Sequence, residues 1–131
     1  VTGSFTPPAN ALLVVAVAVM GNGTTGDLGT PTISGGGLDY SMLGSARSDA
    51  SWSRRVTVFT AIVGANPASM VITIDDDTNQ NIFTYGVAAI AYSDYDTGTP
   101  VVGYVSSGSS DIGDGAHTLS CAGRHRMRPL I

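Results

Sequence analysis

The stretch Ala11-Leu-Leu-Val-Val-Ala-Val-Ala-Val-Met20 decides the fold class of this chain. It is ten residues of unbroken apolar sequence, bracketed by Pro7-Pro8 before it and by Gly21 after it. That length would allow a three-turn helix. The density of Val and the proline and glycine brackets favour a strand, and the lack of polar alternation predicts one buried on both faces. The small Ala16 and Ala18 are the positions at which a neighbouring layer can approach closely.

Working outward, the same rhythm recurs. Arg55–Ile62, Met70–Asp75, Val87–Tyr92 and Val101–Val105 are strand-length runs rich in Val, Ile, Ala and Thr. Gly-Asn-Gly-Thr-Thr-Gly, Gly-Gly-Gly, Asn-Pro, Asp-Asp-Asp-Thr-Asn and Ser-Ser-Gly-Ser-Ser separate the runs, each a turn-forming composition. Ser4–Thr6 supplies a brief first strand, and Thr32–Ser34 a short one inside a glycine-rich connection. Leu38–Leu43 alternates, and Gly44–Ser53 reads as a polar loop. Asn81–Tyr85 and Val87–Tyr92 read as one strand bulged at Gly86. Ala116–Ser120 reads as the last strand. The sum is an all-β, antiparallel β-sandwich of jelly-roll type with about eight strands, formed by residues 1–120 as one domain.

Composition narrows the function. Charged residues are 12% of the chain, against roughly 25% in ordinary soluble domains. Every cation is Arg and every acid Asp, which suits a chain of strands and turns; a GC-rich coding sequence would give the same bias. A surface so poor in charge is typical of glycosylated, secreted or virion proteins, and of proteins covered by neighbours. Residues 1–120 carry a net charge of −7, whereas residues 121–131 carry +3 through Arg124, Arg126 and Arg128. The acidic body argues against nucleic-acid binding. The lone Cys121 excludes an internal disulfide framework and reads as a free thiol. The longest apolar run is too short to cross a bilayer and lacks the setting of a secretory signal, so a soluble chain without membrane contact is expected.

Residues 121–131 break the strand pattern. They form either a basic arm that docks on a neighbouring subunit or unrelated sequence following a frame change near residue 120. The Gly21–Gly37 connection, with seven glycines in seventeen residues, is the other expected contact region, through Gly21, Gly23, Gly26 and Gly29.

Motifs of catalysis and ligation are weak. Asp75-Asp-Asp77 and Asp94-Tyr-Asp96, with Asp111 and Asp114, offer oxygen ligands for calcium but lack the spacing of a calcium loop, and read as solvated turns. His117 and His125 have no nucleophile elbow to serve, so no enzymatic activity, cofactor or metal is expected. Gly35–Gly37 does not open a helix and reads as backbone in positive φ or in close approach. Trp52 and Tyr95 lie in polar loops and are the candidates for stacking on a sugar.

Three segments together carry a resemblance. They are Phe5-Thr-Pro-Pro-Ala-Asn-Ala-Leu-Leu-Val-Val15, Thr32-Ile-Ser-Gly-Gly-Gly-Leu38 followed by Tyr40, and Val56-Thr-Val-Phe-Thr-Ala61. The set resembles a β-sandwich domain that recurs in structural proteins of tailed bacteriophages. The likeness covers roughly residues 3–120 and ends at the tail, where that family continues with a further strand. It implies a virion component (capsid decoration, head fibre or tail appendage) assembled in the host cytoplasm. The expected partners are the major capsid protein, neighbouring fibre or tail subunits, and further copies of the chain. The expected role is a non-enzymatic capsid decoration protein that stabilises the outer shell as a homo-oligomer. The alternative is a carbohydrate-binding module that meets host glycans through Trp52 and Tyr95.

Overall fold

A computed structural model describes residues 1–21, 29–48, 54–75 and 82–95. Secondary structure among the described residues is all β. Six strands follow in order: β1 Leu12–Gly21, β2 Thr32–Ser34, β3 Ser41–Ser48, β4 Arg54–Ile62, β5 Thr73–Asp75 and β6 Ile82–Tyr92. Four of them make one antiparallel sheet in the order β3-β4-β1-β6, and β2 pairs antiparallel with β5 in a second, smaller sheet. The expected strands at Val101–Val105 and Ala116–Ser120 lie outside the described residues. Among the described residues no helix is long and apolar enough to cross a membrane.

The apolar run takes the central position. β1 is paired along its length on both sides, with Ala16 opposite Val58 of β4 and Ala88 of β6. The pairing continues past the strand ends through Val63 N–H to Ala11 O at 2.8 Å and Asn10 N–H to Gly64 O at 3.1 Å. The N-terminal segment widens the smaller sheet: Phe5 and Met70 exchange both backbone hydrogen bonds, at 2.9 and 2.8 Å, and Thr2 holds Ile72 through its carbonyl and its amide.

The core lies between the two layers. Leu13, Val15, Val17 and Val19, the odd positions of β1, are fully buried and meet Phe59 and Val63 beside them and Met70 and Ile72 opposite. Phe5, Ile33, Leu38, Tyr40 and Ile74 pack around this cluster. Each fully buried Val or Leu contributes about 1.5–3 kcal/mol, so the odd face of β1 is a large local source of stability.

Three local expectations need correction. Gly44–Ser48 is not loop but the second half of β3, and the pairing register with β4 shifts between Met42 and Gly44. No bulge occurs at Gly86, which pairs regularly with Ala18; the shift falls at Met20/Gly21, where Thr84 and Ile82 are successive partners. The glycine does not interrupt pairing because its conformation is an ordinary strand one, with 3.8 Å from a hypothetical Cβ to the Ala18 methyl. The third correction concerns β1 itself. Only its odd face is buried throughout; Val14, Ala16 and Met20 are half-buried and Ala18 is exposed.

Candidate functional site

The even positions of the large sheet form a second face, pointing away from the core. The pairing register arranges it in rows across β4, β1 and β6: Ile62–Leu12–Tyr92, Thr60–Val14–Ile90, Val58–Ala16–Ala88, Val56–Ala18–Gly86 and Arg54–Met20–Thr84. Ser41, Gly44 and Ala46 of β3 extend the second, third and fourth rows, opposite Thr60, Val58 and Val56. Fourteen of these eighteen positions are apolar or glycine, and Arg54 at one end is the only charge among them. Ile62, Ile90 and Tyr92 are each more than half exposed, and Val56 is 45% exposed. An antiparallel sheet with one wet face normally alternates apolar and polar residues. This one does not, and its outward face is the least expected feature of the molecule.

Polar groups cluster elsewhere, on the inner side at the end of β3 and β4. Thr57 is fully buried and shares a 2.9 Å hydrogen bond with the Ser45 hydroxyl. Arg55, half-buried, donates from Nη1 to Ser45 Oγ at 3.2 Å and to Thr30 Oγ1 at 3.1 Å. These contacts tie the connection before β2 to the large sheet. They give the hydroxyls of Thr57, Ser45 and Thr30 a partner each. The Tyr40 hydroxyl is buried without a hydrogen-bond partner, and burial raises its pKa above the ordinary 10.0.

Two clefts open at the margins. One, of about 690 Å³, lies at the Leu12–Ile62 end of the sheet between Leu38, Asp39 and Met42 on one side and Ile62 and Gly64 on the other. The second, of about 410 Å³, separates Thr2, Gly3 and Ile74 from Tyr85 and Val87. Among the described residues that line them, Asp39 is the only one with a charged side chain. Among the described residues no three His, Cys, Asp or Glu side chains gather as a metal site would require.

Of the sequence-derived contact residues, Gly21, Gly29 and Tyr95 fall among the described residues. Gly21 closes β1 and is buried, and Gly29 is half-buried just before β2. Gly23, Gly26, Trp52, Arg124, Arg126 and Arg128 lie outside the described residues, as do Asp76, Asp77, Asp96, Asp111, Asp114, His117, Cys121 and His125. Tyr95 follows the turn after β6, half-buried, beside Asp94 with φ 58°. The outward sheet face was missed as a surface although the sequence carried its signal. An apolar run at even as well as odd positions announces two apolar faces, of which only the odd one is buried along its length. Compared with protein-family models, with curated proteins and with solved structures, the chain matches none.

Proposed function

We propose that this chain is a non-enzymatic structural subunit of a tailed-bacteriophage virion, a decoration protein of the outer capsid that stabilises the shell by binding in many copies. The observation that carries the reading is the outward face of the large sheet, apolar across four strands and charged only at one end. Covering such a face is favourable by about 25 cal/mol per Å² of apolar surface, and subunits in a shell cover one another. Binding that favours the assembled state stabilises it by mass action. The finer fold belongs to the same proposal: a jelly-roll-like sandwich of about eight strands, supported by two antiparallel layers that enclose one core.

The test is direct. Virions purified by density gradient from the phage whose genome encodes the chain are analysed by quantitative mass spectrometry and by immunogold labelling. The expected result is the chain at a copy number commensurate with the capsid lattice, labelled over the head. Virions that lack it, or label only at the tail, overturn the decoration role.

A further inference from the structure

We propose that the outward face of the large sheet is the seat of a second copy of this chain, packed face to face about a twofold axis that runs across the strands through the row Val58–Ala16–Ala88. The inference rests on the assembly reading above and names its first partner.

Three observations choose a second copy over another occupant. The first is size. Four strands about 4.8 Å apart and nine residues at about 3.4 Å give each copy roughly 600 Å² of projected face, so a pair buries roughly 1,200 Å² or more, the lower bound of stable interfaces. The second is charge: the face carries no acid and one cation, Arg54, which the axis lays over Ile62 of the second copy and far from that copy's own Arg54, so no like charges meet.

The third is shape. The face is asymmetric along the strands. Ile62, Ile90 and Tyr92 stand exposed at one end, the fourth row narrows to Ala18, Gly86 and Ala46, and Arg54, Met20 and Thr84 close the other end. A twofold axis across the strands lays the second row of each copy on the small fourth row of its partner, and the same residues meet from both sides, as isologous interfaces require. Row by row, Ile90 then stands over Gly86 of the second copy, Val14 over Ala18, and Tyr92 over Thr84. A Cβ at Gly86 would meet nothing nearer than the Ala18 methyl at 3.8 Å, so the glycine leaves a socket for the exposed Ile90 side chain. Ala16 and Ala88 lie on the axis and meet their own counterparts, and small residues there let the sheets approach to the usual spacing of about 10 Å. The relative twist of aligned sheets, about 30°, is compatible with this pairing.

The experiment uses the full chain. Sedimentation velocity across the micromolar range should give a dimer, or an even-numbered oligomer. Gly86→Arg fills the socket with a charge and should weaken association by at least about a hundredfold, because an unpaired cation would be buried in the interface. The substitution is on an exposed strand position with ordinary φ, and circular dichroism should report an unchanged fold. In a Cys121→Ala background, Ala88→Cys should be cross-linked between copies by a short bifunctional thiol reagent, because sheets about 10 Å apart hold the two Cα atoms beyond the reach of a direct disulfide, and Thr84→Cys, far from the axis, should not. A monomeric full chain overturns the proposal. So does an oligomer that survives Gly86→Arg and fails to cross-link at Ala88→Cys. A monomer that is nonetheless abundant on virions removes the twofold pair and leaves the decoration role standing, whereas a cross-linked dimer absent from virions does the reverse.

Discussion

Replacing each glycine of Gly35–Gly37 by alanine should give a steep order of destabilisation, because the three residues share a positive φ but not a neighbourhood. Gly35 has φ 145°, and a Cβ there would overlap the Val71 carbonyl oxygen and lie 3.1 Å from its carbon. That carbonyl is main chain, immediately before the fully buried Ile72, so it yields only if the smaller layer moves. The disallowed conformation costs about 1–3 kcal/mol and the forced shift of packed backbone a similar amount. Gly35→Ala should therefore lose about 3–5 kcal/mol, a large part of the 5–15 kcal/mol typical of a domain. At Gly36, with φ 61°, the Cβ would meet the Met70 sulfur at 2.7 Å, the far end of a flexible side chain. Its cost should fall between the other two. At Gly37, with φ 65°, nothing lies within 4 Å, which leaves only the left-handed backbone penalty of about 1–2 kcal/mol. Urea unfolding followed by circular dichroism reads the order as midpoint shifts at constant slope. Equal losses at all three positions, or a milder loss at Gly35 than at Gly37, would refute the claim that close approach to the Val71 carbonyl decides the turn.

Other expectations follow from single contacts. Tyr40→Phe removes a buried hydroxyl without a partner and should leave stability unchanged or raise it by up to about 1 kcal/mol. It should also flatten the alkaline limb. The folded-state pKa of Tyr40 is raised by burial, so the unfolded chain loses this proton first, and stability falls as pH climbs above about 10 in the wild type; thermal midpoints between about pH 9 and 11 should show a smaller drop in the variant. Ser45→Ala strips the buried Thr57 hydroxyl and Arg55 of a shared partner and should cost about 1–3 kcal/mol, part of which Thr57→Val restores in a double-mutant cycle read by urea titration. Val17→Ala should cost about 2–3 kcal/mol by opening the core, whereas Val56→Ala should cost under about 0.5 kcal/mol in dilute, dissociated protein and more at concentrations where the chain associates.

Much of the layered arrangement is written in the sequence at positions where turn chemistry and period agree. Val56–Ile62 alternates, and its odd members Thr57, Phe59 and Ala61 are the buried ones. The triple glycine announces positive φ and has it. Where two signals competed, the reading failed. Gly44-Ser-Ala-Arg-Ser48 looks like loop by composition, yet pairing with the strongly alternating β4 draws it into the sheet, since a polar edge strand needs only one neighbour. Gly86 looks like a bulge, yet it serves as a small residue opposite Ala18. The candidate surface was the hardest to read because periodicity gives the number of apolar faces and not what covers each one. That information lies in tertiary placement. β1 is central and its odd face meets Met70 and Ile72, which no spacing in the sequence reveals.

The two faces of β1 also differ in a way that solvent alone does not explain. Toward the core the residues are Leu13, Val15, Val17 and Val19, branched and interdigitated with the second layer. Outward they are Val14, Ala16, Ala18 and Met20, with Ala88 and Gly86 beside them on β6. A face selected only for contact with water would carry Thr, Ser or charged residues at these positions, as the half-buried Thr60 and the exposed Thr84 show this chain is able to do elsewhere on the same face. Alanine and glycine have poor strand propensity and contribute little burial of their own. Their use in the middle of the sheet gains something only where another layer comes close enough for a longer side chain to collide. The larger apolar residues at one end gain something only if that layer offers room for them. Ile90 and Val14 find that room over Gly86 and Ala18 when the opposing layer is the same face turned end for end.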